Sequence, residues 1–308
     1  VTTLTVVVLL TISGGIGTVL FETQVVPTVR HMGLMGLAAV LLIAGVGWAM
    51  FRGTGPLPDP EGCTASAAGR KVFLNLDQAE NATLISAIAT QRGLPARAVS
   101  IALATAYQES KIRNLGHGDR DSLGIFQQRP SQGWGTAEQV QNPVYAINKF
   151  YDALEKVPNY ESMRITVAAQ EVQRSGFPEA YEDHAPDARA LASALTGYSS
   201  GGQFSCIVRE ASYDTRISRT IALLDDAYGE SIRVTRISEK REIYVTAVGE
   251  DGEGRVGWSV AQFLIAHAQT QNIKTVSYSG LTWRSGNKSE DGWVGTPAPD
   301  PKVSVEFG

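Results

Sequence analysis

The sequence predicts a mainly α-helical central domain, preceded by one or two transmembrane helices and followed by a small α+β domain. Three observations carry this. Two long uncharged stretches stand on the N-terminal side, residues 1–21 and 31–51. Apolar residues recur at helical spacing between residues 75 and 196, punctuated by Gly and Pro. From Ile232 the pattern turns to alternation, the mark of strands.

Residues 1–21 contain the apolar run Val6–Leu10, but Gly14, Gly15 and Gly17 interrupt the stretch. Gly33–Phe51 is the better membrane candidate, rich in Leu, Val, Ile, Ala and Met. Its length corresponds to about 28 Å of helix, enough to cross a bilayer core. The first stretch has three open readings: a first span in a helical hairpin, an over-extended reading frame ahead of Met32, or a cleaved signal peptide. Arg30 and Arg52 flank the candidate span, so charge does not orient it. Export of the following domain would place residues up to Arg30 inside. Residues 53–71 are rich in Gly, Pro, Ser and Ala and read as a linker.

The helical domain is expected over 72–208. Asn75 or Asp77 caps a helix to about Arg92; Gly93 ends it and Pro95 opens the next, which runs to Glu109. Asn142-Pro143 starts a third and Ile165–Arg174 is a fourth. Ala180–Thr196 is a fifth, interrupted by Pro186. Residues 209–230 read as a connecting helix, and 231–308 as the α+β domain.

Net charge is −4 and the isoelectric point about 5.7, which gives no electrostatic basis for nucleic-acid binding. Cys63 and Cys206 flank the helical domain. Two thiols outside a Cys-x-x-Cys pair do not build a zinc ribbon. One disulfide closing the domain is the favoured reading, because the membrane segment implies export; two separate buried thiols are the alternative.

The chemistry concentrates in residues 106–130. Glu109 ends a nearly unbroken apolar segment, Ala98–Tyr107, with the character of a buried helix. Burial there raises a carboxyl pKa toward the range where it donates a proton at neutral pH. A polar loop with Gly116, Gly118 and Gly124 follows, suited to line a cleft.

Glu109-Ser110, with Gly124-Ile125-Phe126-Gln127 fifteen residues later, resembles the lysozyme-like core of lytic transglycosylases. The resemblance covers residues 75–182. It implies a membrane-anchored, extracytoplasmic enzyme that cleaves the MurNAc–GlcNAc bond of peptidoglycan with one Glu as acid and base and no cofactor. Glu109 takes that role. Hydrolysis would need a second carboxylate, and Asp121, beside Asp119 in the loop, is the weaker catalytic candidate. Ser110, Gln127 and Gln128 are expected to bind sugar, and Trp134 to stack on a ring. The family's Ala-Tyr-Asn-like motif falls on Ala168–Arg174, where Gln170 stands in for the Tyr; Gln173 and Tyr181 are lesser candidates for substrate contact. That departure supports a rival reading, a catalytically inactive wall-binding or membrane accessory protein on the same fold.

Residues 255–307 resemble part of a D,D-carboxypeptidase-like domain through Gly257-Trp258, Tyr278, Gly280 and Trp283. The last strand reads Lys302-Val303-Ser304-Val305 where zinc-binding members carry His-x-His. His31, His117, His184 and His267 have no ligand spacing, so no metal site is expected.

Overall fold

Eight of the eleven residues Thr2–Ile12 are Thr, Val or Ile, side chains that crowd a helix and suit a pleated strand. In the computed structural model they form β1 (Thr2–Ile12), which pairs antiparallel with β2 (Gly15–Val25), Val6 opposite Phe21. The expectation of a membrane-spanning helix in residues 1–21 is therefore corrected to a β-hairpin. The structure describes residues 2–12, 15–25, 40–41, 43–45, 59–177, 179–199, 201–210, 217–237, 239–249 and 254–308. Most of the span expected at Gly33–Phe51 lies outside the described residues; positions 40–41 and 43–45 are helical. Among the described residues no helix is long and apolar enough to cross a membrane. Residues 1–59 and 60–308 are separate compact units.

In the second unit, part of the expected linker is sheet. The strands β3 (Gly62–Ala67) and β4 (Arg70–Leu74) form an antiparallel pair. Ala, Ser and Thr give β3 little strand propensity of its own, and its other partner lies some 140 residues away along the chain, so local composition does not reveal it. Helix α1 (Leu76–Gln91) starts where expected, the Asn75 N–H donating to the Gln78 side chain at 2.9 Å. Helix α2 (Ala96–Ser110) follows Pro95. Its residues Ala98–Ala106 are all buried and mostly small, so neighbouring helices can approach closely.

The chain continues through α3 (Ala137–Gln141) and α4 (Pro143–Leu154), whose Asn142 cap accepts from the Tyr145 N–H at 3.1 Å. Then come α5 (Ile165–Gln173) and α6 (Ala185–Leu195). Pro186 sits in the first turn of α6, where a missing N–H costs nothing, so it opens the helix instead of interrupting it. Strand β5 (Phe204–Ile207) completes the sheet in the order β4-β3-β5, and α7 (Ile217–Tyr228) follows. Helices α1, α4, α5 and α6 pack around α2.

The C-terminal part holds β6 (Ile232–Ile237), β7 (Glu242–Ala247), α8 (Arg255–Ala266) and the short α9 (Ala268–Gln271). The remaining strands are β8 (Ile273–Tyr278), β9 (Leu281–Arg284), β10 (Val294–Gly295) and β11 (Lys302–Phe307). They make a six-stranded antiparallel sheet in the order β10-β9-β8-β11-β7-β6. Helix α8 lies between this sheet and α1, which explains why Gly257–Ala266 are all buried. A Cβ on Gly257 would fall 2.2 Å from the Tyr278 ring, so only glycine fits that approach.

One continuous hydrophobic core runs from Cys63 to Phe307. The indole N–H groups of Trp283 and Trp293 donate to the Cys206 and Phe204 carbonyls at 2.8 and 2.9 Å, fastening the C-terminal sheet to β5. The fold is thus mixed α/β, not mainly α with a small appendage. Cys63 and Cys206 are register partners on β3 and β5 and form a disulfide.

Candidate active site

Helix α2 stops abruptly after Ser110, one residue beyond Glu109. Lys111 and Ile112 both adopt left-handed backbone, with φ of 57° and 58°. Ile112 N–H returns to the Ala106 carbonyl and Lys111 N–H to Tyr107. Two successive non-glycine residues in this region cost about 1–2 kcal/mol each. Side chains of α1 hold the turn: Gln78 donates to the Lys111 carbonyl at 2.7 Å and Asn81 to the Ile112 carbonyl at 2.9 Å. The turn leaves the Glu109 carboxyl at the helix end, facing the segment between α5 and α6.

Ser110 has a positioning role. Its hydroxyl is buried, donates to the Ile125 carbonyl at 2.7 Å and accepts from the Arg113 N–H at 3.1 Å. It joins the helix bearing Glu109 to the Gly124–Gln127 stretch, and the expectation of a sugar contact is corrected accordingly. Ser110→Ala is expected to lower stability by about 1–3 kcal/mol, read in urea unfolding, because both partners lose their bond in a buried place.

Gly124 has φ +78°, and a Cβ there would meet the Val140 carbonyl at 2.4 Å. Its N–H donates to Leu115 at 2.8 Å, closing the loop. Gln127 bonds back to the Gly124 carbonyl at 3.1 Å, within its own turn. Gln128 is only 2% exposed and donates to the Ala146 carbonyl at 3.1 Å, so it is a buried structural residue and not a sugar ligand.

Tyr181 completes the site. It is fully buried, and its hydroxyl donates to Glu109 Oε1 at 2.8 Å. Gln173, at the end of α5, donates to the Phe126 carbonyl at 2.8 Å and sits beside the same carboxylate. Burial pushes the Glu109 pKa up, while Tyr181 and Gln173 pull against it. Burial, with the Glu109 charge next, drives the Tyr181 pKa well above the usual phenol range, so Tyr181 stays a donor. The net effect is a carboxyl whose neutral form is favoured more than that of an ordinary Glu.

Gln170 does not stand beside Glu109 in place of a Tyr. Its amide donates to the Ser175 carbonyl at 2.9 Å and shapes the exit of α5. Tyr181 supplies the phenol from a different segment. Asp121 is also reassigned: it accepts from Arg129 Nε at 2.8 Å, and from the Ser131 N–H at 2.8 Å and hydroxyl at 3.0 Å. The Ser131 N–H first, then Arg129, holds its carboxyl below the usual range. It clamps the loop as a fixed anion. Asp119 is 92% exposed and 3.9 Å from Arg120.

Trp134 is half-buried against the core, and its carbonyl accepts from the Tyr145 hydroxyl at 3.2 Å. It forms one wall of a cleft of about 950 Å³ that Gln173 also lines. The cleft therefore reaches Gln173, the residue beside the Glu109 carboxyl. Among the described residues, no group of three or more His, Cys, Asp or Glu is placed to hold a metal ion. Tyr181 and Gln173 stand out in the sequence only weakly, because neither has a fixed spacing to Glu109. No protein-family model matches the chain, and no curated protein matches it.

Proposed function

We propose that this protein is an extracytoplasmic lytic transglycosylase acting on the MurNAc–GlcNAc bond of peptidoglycan. The observation that supports this most is the half-buried Glu109 carboxyl held by the Tyr181 hydroxyl, with Gln173 beside it lining a cleft that Trp134 also lines. The neutral acid donates its proton to the glycosidic oxygen as the bond to the anomeric carbon breaks. The substrate's own C6 hydroxyl then attacks that carbon and returns its proton to the Glu109 carboxylate, leaving a 1,6-anhydromuramoyl end. This route uses one carboxylate. Asp121, already engaged by Arg129 and Ser131, is not free to activate a water, which favours this route over hydrolysis. The Cys63–Cys206 disulfide supports an oxidising, extracytoplasmic location.

The test is incubation of the full chain with purified peptidoglycan and mass analysis of released muropeptides. Anhydromuropeptides support the proposal; reducing-end products assign hydrolysis instead, and binding without release supports a wall-binding protein. Tyr181→Phe should slow turnover roughly 10- to 100-fold. Loss of that bond, which favours the ionised form, raises the Glu109 pKa further. The high-pH limb of the rate profile should therefore move upward in pH.

A further inference from the structure

The cleft beside Gln173 carries charge that the chemistry above does not use. Its lining includes apolar side chains, Trp134 and Met163 among them, both packed on the core, which suit the face of a sugar ring. The lining also includes Lys156 and Arg174, with a single acid, Glu171. Arg174 sits in a left-handed turn, φ 53°, closing α5, with its N–H on the Gln170 carbonyl at 2.8 Å. Nearby acids are engaged elsewhere: Asp152 and Glu155 pair with Arg92, and Glu179 and Glu182 with Arg164. Lys156 and Arg174 have no ion-pair partner among the described residues. Two exposed cations in a cleft that also has an apolar lining fit a ligand that carries both a sugar and an anion. A guanidinium matches a carboxylate in two-point geometry.

We propose that Lys156 and Arg174 form a carboxylate-recognition subsite for the peptide side branches of the glycan strand. This rests on the peptidoglycan reading above and adds a preference for strands whose branches carry free carboxylates. The test is co-sedimentation of the full chain with peptidoglycan sacculi stripped of phosphate polymers, either native or with their carboxylates chemically amidated. The wild type should bind the native form about tenfold more tightly. The double variant Lys156→Gln/Arg174→Gln should bind both forms at the amidated level, and Lys156→Arg/Arg174→Lys should keep the preference. Equal wild-type binding to both forms overturns the proposal, as does equal loss by the Gln variant on both, or no binding at all. A preference seen only before phosphate removal also overturns it and assigns the cations to a phosphate polymer. Muropeptide release, followed in the same samples, reports separately on the glycosidic reading: binding that discriminates carboxylates without release sinks that reading and leaves the subsite standing.

Discussion

Glu109→Gln is expected to cut anhydromuropeptide release by about 10²–10⁴-fold while binding to peptidoglycan persists. The amide keeps the size and polarity of the side chain but has no proton to give and cannot take one back. The same substitution has a stability signature that does not depend on catalysis. Burial raises the Glu109 pKa in the folded chain, so the neutral form is the one the fold favours. That contribution is fully present below the ordinary Glu pKa and is lost as pH rises through the raised, folded value. Wild type should therefore lose stability relative to Glu109→Gln between acid and neutral pH, with the variant melting higher at pH 7. Paired thermal melts at pH 4 and pH 7 check the sign. A variant that melts lower at pH 7 alone would show instead that the fold depends on an ionised carboxylate. Wild-type turnover should fall over the same rise in pH, because the acid form is consumed.

Cys63→Ser is expected to lower the unfolding free energy by about 2–5 kcal/mol. The bond spans a sequence separation of 143 residues, and in the chain-entropy picture closing so long a loop restricts the unfolded chain by about 5 kcal/mol. Its place in the fold adds to this. Cys63 lies on the central strand of the β4-β3-β5 sheet, and the Cys206 carbonyl accepts from Trp283 of the C-terminal sheet. Freeing β5 therefore loosens the attachment of both sheets. Urea unfolding with and without reductant is the measurement. Wild type in reductant should fall to the stability of the variant, and the variant should not respond to reductant. A wild type indifferent to reductant would place the stabilisation elsewhere.

What the sequence legibly specified was local. The start of α1 after Asn75 and the start of α4 after Asn142 follow from capping chemistry within three residues. The change to strands near Ile232 follows from alternation over a few residues. Glu109 was legible too, because a carboxylate at the end of an apolar helix is conspicuous wherever the chain goes next. Long-range pairing was not legible. The strand β3 has weak propensity and exists because β4 and β5 flank it. Residues 1–21 are as uncharged as a membrane span; the β-branched composition of Thr2–Ile12 favours a strand, and the pairing of β1 with β2 decides the outcome.

The division is clearest at the candidate site. By itself the sequence determined which acid ends the buried helix and which loop follows it. Tertiary structure decided that acid's company. Tyr181 reaches Glu109 across a sequence separation of 72 residues, while Gln170, closer to the expected motif, turns to Ser175. Ser110, Gln128 and Asp121 have side chains suited to sugars, but each is engaged by protein groups that packing brings within hydrogen-bond distance. The physical reason is common to all of them: a polar side chain that folding buries or crowds must be satisfied by whatever group the packing supplies, and that partner is set by the three-dimensional arrangement of α2, α5 and their loops, not by spacing along the chain.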